Sequence, residues 1–293
     1  MKCQKNIQVW ASELSGYLNG HLSGEDFLID HGVEQIRSTG KFGNVGKLPS
    51  PCEDWLLISN ELTTAIHQPK ATILVTTTPD QAYIELVKEY FVVGRDALIH
   101  PTALISPSAR IGKNVSVGAF SVIGEDVEIG AGCEIQNHVV LYGSSHIGSN
   151  VIIMDGAVIG NCSYEFFEDG DGVLLQPPPL GDVRIEDGVR IGAHTSIERS
   201  IGESTVIGRQ AKIDDLVNLG GGSKIGSKAL ITAGCIIGRG VNIGEGCQLG
   251  MKASVHPGVS LAPGVIIGQA TAVIHDISEP GIYVGVPAKK LAK

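Results

Sequence analysis

With 293 residues, the chain is long enough for one large or two modest hydrophobic cores. A net charge of −9 and a pI near 5.5 argue against nucleic acid as the main partner, since phosphate binding draws on a basic surface and no Lys/Arg-rich stripe offsets the acidity. Aromatics make up only 5% against 39 Gly, a balance that favours many short strands and tight turns over a helical bundle.

Residues 1–16 carry no apolar run with a small-residue cleavage site, and no stretch of about 18 apolar residues occurs, so neither a secretory signal nor a membrane span is expected. Six cysteines without CxxC spacing give neither a disulfide framework nor a zinc site, and a cytoplasmic location is expected. Residues 1–95 read as a small α/β domain, a candidate for nucleotide or sugar recognition. In it Ala71–Val75 forms a strand, and Gln81–Phe91 has helical spacing of Tyr83, Leu86, Val87 and Tyr90.

From Ile99 an aliphatic residue recurs every six positions through Ile105, Ile111, Val117 and onward to Ile159. The pattern resumes at Ile185, Ile191 and Ile197, slips by four, then runs unbroken from Ile201 to Val273. The following residue is often Gly, read here as a tight corner with unusual backbone angles. A small or β-branched residue sits four positions after the aliphatic, so each hexad points one large and one small side chain inward. Stacked coils then bury a continuous aliphatic column, which predicts a mainly β, parallel β-helix over residues 96–275. Cys133, Cys235 and Cys247 fall on the small inward position and read as core. An excursion loop at 160–184, with Tyr164, Phe166, Phe167 and Pro177–Pro179, reads either as a packing loop or as part of a substrate site. Residues 276–293 read as a capping strand or helix.

Repeats of the form [LIV]-G-x-x-[small]-x resemble the left-handed β-helix of the hexapeptide-repeat acyltransferases. The order of "IHPTALISPSARIGKNVSVGAFSVIG", "GAVIGNCSYEFF", "PPPLGDVRIEDGVRIGAHTSIERS", "TVIGRQAKIDDLVNLGGGSKIG" and "ISEPGIYVGVPAKK" is similar to one branch, the UDP-3-O-(3-hydroxyacyl)glucosamine N-acyltransferases of lipid A synthesis. The carboxy-terminal stretch also resembles acetyl-CoA-dependent sugar-nucleotide N-acetyltransferases. The resemblance implies a left-handed helix with coils of three hexads. It implies a homotrimer with active sites in clefts between subunits, and no bound cofactor. It further implies an acyl-carrier-protein or coenzyme A thioester as co-substrate, and the amine of a nucleotide-linked amino sugar as acceptor.

An amine attacking a thioester needs a base and a donor for the developing oxyanion. The resemblance places the family's catalytic histidine on Gly221 and a second functional histidine on Gly258, so this chain departs from the pattern at both. Substitute catalytic candidates are His256, Asp214 and Asp215, with Asp214 matching a family carboxylate. The run Gly220–Gly222 reads as an open, side-chain-free surface. Candidate substrate contacts are Asn218, Gly221, Gly222, Tyr164 and Phe166; no tyrosine stands where the family stacks uracil on an aromatic residue, and Trp55 is the substitute offered there. His138, His146, His194 and His275 do not share one hexad position, so no metal site is expected. The alternative reading is a catalytically lapsed paralogue that binds the sugar nucleotide or acyl carrier without turnover.

Overall fold

The computed structural model describes residues 78–88 and 97–291 in full, together with the backbone of short strands between residues 2 and 93. The chain divides into two units, Met1–Arg95 and Asp96–Lys293. In the first, a four-stranded mixed sheet runs in the order His21–Ser23, Thr72–Val75, Leu56–Ser59, Ile36–Ser38. Among its described residues the helix is Pro79–Leu86, overlapping the helical spacing of Gln81–Phe91, of which residues 89–91 lie outside the described residues. Proline at the first turn gives up no intrahelical bond there, and Pro79, Ala82 and Leu86 are buried.

The second unit is a solenoid of three parallel sheets. Sheet A starts at Leu104–Ile105 with nine strands, sheet B at Arg110–Ile111 with eight, and sheet C at Ser116–Val117 with ten. One coil visits A, B and C in turn and returns 18 residues later, so Arg110 pairs with Glu128, Ser116 with Glu134 and Val122 with Val140. From Val115 on, each hexad buries its aliphatic residue and the small residue two before the next aliphatic, as with Ile225 and Ala229, whereas Ile99 is exposed and Ile105 and Ile111 are half-buried. The result is one apolar column from Val115 to Ile277. No helix of the described residues is long and apolar enough to cross a membrane.

The glycines that follow the aliphatic residues have a different cause from the one predicted. The left-handed backbone angle falls two residues later, where Asn114, Phe120, Asp126, His138 and Lys228 adopt it alongside Gly240 and Gly258. The glycine directly after the aliphatic is needed for close approach. A Cβ on Gly118 would lie 2.6 Å from the carbonyl carbon of Gln136 in the next coil, and one on Gly130 would lie 2.6 Å from that of Gly148. Since coils stack at strand spacing, no side chain fits between these main chains.

Cys133, Cys235 and Cys247 are buried and donate to the carbonyls of Gly148, Gly250 and Ala262 at 3.0, 3.2 and 3.1 Å. Burial pushes all three thiols up, which keeps them protonated and unreactive. Cys162 is exposed. Maleimide labelling followed by peptide mass spectrometry should therefore modify Cys162 in the native protein and reach the three buried thiols only after denaturation. Labelling of Cys235 before Cys162 would contradict this packing.

Candidate active site

Two insertions break the 18-residue register, and both sit at the corner between sheets A and B. The pairing offset rises to 38 at Ser145–Val183 and to 22 at Val183–Thr205, then returns to 18 at Lys224–Asn242. The excursion is therefore a 20-residue insertion, and the slip after Ile197 is one of four. In sheet A, Val158–Cys162 and Ser196–Arg199 overrun the corner and stay paired past an irregularity between Ile159 and Asn161. The longer insertion then forms a small antiparallel hairpin, Phe167–Glu168 with Leu174–Leu175. The shorter one closes on Ser200, whose Oγ accepts the Glu203 N–H at 2.8 Å.

At the foot of these overruns lies a cleft of about 500 Å³ lined by Glu165, Ser200–Glu203, Gly221, Gly222, Arg239, Gly240, Pro257 and Gly258. Its floor is the same corner on three successive coils. Each of those corners places a glycine, Gly222, Gly240 or Gly258, at the left-handed angle. The cleft thus gathers the two positions at which the resemblance puts histidines. Gly220–Gly222 is buried rather than the open surface expected, because the overrunning chain covers it. A Cβ on Gly221 would lie 2.8 Å from Ser200 N and 2.9 Å from Arg199 C, whereas one on Gly258 meets no atom within 4 Å.

The floor's main-chain donors are occupied. Gly222 N–H reaches Thr205 Oγ1 at 2.8 Å, and the N–H groups of Gly240 and Gly258 donate to the carbonyls of Gly221 and Arg239. The cationic group on the cleft is Arg239, which pairs with the largely buried carboxylate of Glu165 across the mouth of the excursion. Glu198 is half-buried, and burial raises its carboxyl above the ordinary carboxylate range. The negative charge of Glu165 pushes the same way, against the N–H bonds from Gly221 and Tyr164. Behind it, Arg199 donates from Nη1 to the Gly143 carbonyl at 3.1 Å, while its buried Nε has no hydrogen-bond partner.

The residues expected from sequence divide accordingly. Gly221 and Gly222 line the cleft, and Tyr164 contributes its N–H to Glu198 while its ring is exposed and packs edge-on to Phe166 at 5.0 Å. His256 is on the same corner but is exposed and outside the lining, with Nδ1 3.1 Å from the Pro257 carbonyl oxygen. Asp214 and Asp215 follow sheet C instead, at the corner leading into sheet A, and Asp215 Oδ1 accepts the Ala193 N–H at 2.7 Å. Asn218 is exposed on the outer face of sheet A. Trp55 lies outside the described residues. Sequence reasoning missed Glu165 and Arg239. The available signal was the register slip itself, which begins immediately after Ile197.

Two segments, residues 92–125 and 108–143, match the bacterial transferase hexapeptide (six repeats) family model. A UDP-3-O-acylglucosamine N-acyltransferase of Pseudomonas syringae pv. syringae is 30% identical over 303 residues, which span 95% of this chain and 86% of that protein. The protein of the same name from Coxiella burnetii is 34% identical over 155 residues; that match spans 47% of this chain and only 45% of the relative's length. Among solved structures, the UDP-N-acetylglucosamine O-acyltransferase of Moraxella catarrhalis superposes with a TM-score of 0.59 at 24% identity. It covers 66% of this chain and 73% of its own. The Francisella novicida UDP-N-acetylglucosamine acyltransferase gives 0.59 at 26% identity over 64% and 67%. The solenoid is the left-handed parallel β-helix.

Proposed function

On the premise that the chain belongs to the UDP-3-O-acylglucosamine N-acyltransferase family, we propose that it moves an acyl group from an acyl-carrier-protein or coenzyme A thioester to the amine of a nucleotide-linked amino sugar. The observation that carries this reading is the cleft at the A–B corner, which brings Gly221 and Gly258 together beneath both insertions. The amine attacks the thioester carbonyl, a C–N bond forms, the C–S bond breaks, the amine gives up a proton, and the departing thiolate takes one. Arg239 supplies positive charge for the developing oxyanion, since the floor's main-chain donors are already engaged. The active assembly in this reading is a cytoplasmic homotrimer, with no resident cofactor or metal.

The lapsed-paralogue reading is favoured by one observation: the backbone of Arg199 and Ser200 leaves no space for a side chain at position 221. Thiol release measured with acyl-carrier and coenzyme A thioesters over a panel of amino-sugar nucleotides separates the two. Acceptor-dependent release is expected, and no release above the no-acceptor rate in any pairing would leave the binding-only reading. In the active protein, neither His256→Ala nor Asp215→Asn should show the roughly 10²-fold loss that removing a proton-transfer group causes. A loss of that size in either would return it to the catalytic set.

A further inference from the structure

We infer that Arg190 and Lys212, neighbours on the outer face of sheet C, form a binding site for a phosphate-type dianion, carried as inorganic phosphate or as part of a nucleotide. Arg190 pairs with Lys212 in register, so two cations stand directly opposite on adjacent strands. Strand spacing puts their main chains about 4.8 Å apart. Like charges so placed are destabilising unless something negative lies between them.

No carboxylate does so among the described residues, where no ion pair reaches Arg190 or Lys212. Arg110, Arg184, Arg209 and Arg239, by contrast, each face an acid, from Glu128, Asp182, Asp187 and Glu165. Arg190 instead turns its Nη2 to the Met154 thioether at 3.1 Å, a weak and uncharged acceptor. Lys212 Nζ donates to the Gly188 carbonyl oxygen at 2.6 Å. The strands on either side contribute Ile152, opposite Arg190, and Leu230, opposite Lys212, which carry no charge. The acids at the corner leading into Arg190 are engaged elsewhere. Asp187 pairs with Arg209 at 3.6 Å, and Glu186 Oε2 accepts the Arg209 N–H at 2.8 Å. In a chain of net charge −9, two adjacent cations without an acid are a local exception.

The pair suits a phosphate chemically. A guanidinium offers two parallel N–H donors to two phosphate oxygens, and the ammonium adds a point charge beside it. Both residues are exposed, so an anion reaches them from solvent, and Arg190 gives up only its thioether contact to meet it. Partial burial against the sheet, and then the charge of Arg190, push the Lys212 ammonium's pKa below its ordinary value, as an unneutralised neighbour does. The site lies on sheet C, whereas the acyl-transfer cleft lies at the A–B corner, and it does not draw on the reading of that cleft.

Isothermal titration calorimetry of the full chain with sodium phosphate, set against sodium chloride at equal ionic strength, tests the site. Phosphate-specific binding is expected. Arg190→Gln and Lys212→Gln should each weaken it by about tenfold or more, the loss that follows from removing one charge-assisted hydrogen bond. Arg110→Gln, whose partner is Glu128, should leave it unchanged. A nucleoside diphosphate that binds tighter than phosphate, by a margin lost in Lys212→Gln, identifies a nucleotide as the source; equal affinity identifies free phosphate. In chemical denaturation without phosphate, Lys212→Gln should be at least as stable as the parent, because it removes one of two facing like charges. Added phosphate should then stabilise the parent and not the variant. Absence of phosphate-specific binding, or the same weakening in Arg110→Gln, would overturn the site. A ligand-free Lys212→Gln protein less stable than the parent would overturn it too, since the pair would then be engaged by protein, in this chain or in a second copy.

Discussion

Replacing Gly118 with alanine should cost about 3 kcal/mol, as much as a poorly tolerated change in a packed core, although only one methyl group is added. The new Cβ would come within 2.6 Å of Gln136 C and 2.7 Å of Gln136 O and Asn137 N. These are main-chain atoms of the next coil, held by Gly118 N–H to Ile135 O at 2.8 Å, so no side chain can rotate aside. Relief requires the coils to separate, which lengthens that bond and opens the column around Val117 and Ile135, both about 1% exposed. Gly240→Ala is the matched control. Its Cβ meets no atom within 4 Å, and the left-handed angle alone should cost about 1 kcal/mol. Equal shifts in the denaturation midpoint for the two variants would show that coil spacing at Gly118 is no tighter a constraint than the left-handed angle at Gly240.

Placing histidine at the two positions to which the resemblance assigns the family's histidines should give opposite results. Gly221→His should destabilise the protein by about 3 kcal/mol, since its Cβ collides with the backbone of Arg199 and Ser200 and nothing flexible can yield. Gly258→His should fold, with about 1 kcal/mol lost to the left-handed angle and its ring extending into the cleft mouth. A Gly221→His protein as stable as the parent would show that the covering chain moves readily.

The repeat was the most legible feature of the sequence because each hexad carries the same two inward residues. A one-residue error would turn the whole pattern outward, so Ile225 and Ala229 or Ile243 and Cys247 announce their burial locally. The glycine after the aliphatic was visible, but its cause was not. A constraint set by the main chain 18 residues away leaves the same letter as a constraint set by backbone angle. The site was less legible still. Glu165 and Arg239 are 74 residues apart and meet only because two insertions overrun one corner. Counting along the hexads identified Gly221 and Gly258, but counting cannot see chain that leaves the count.

The tail that closes the solenoid has a further consequence. A bare end of a β-helix is an open row of N–H and C=O groups on all three sides, the geometry that seeds cross-β fibres. Here residues 277–291 address each side in turn. Ile277 bridges to Leu261 of sheet B, Gly281–Val284 pairs with Val265–Ile267 of sheet C, and Ala288 N–H donates to Ala272 of sheet A. The outermost strand, Lys289–Lys290, runs antiparallel to its neighbour and presents two adjacent lysines. A further strand added at this edge would meet reversed strand polarity, so the tail limits the height of the column as well as finishing it.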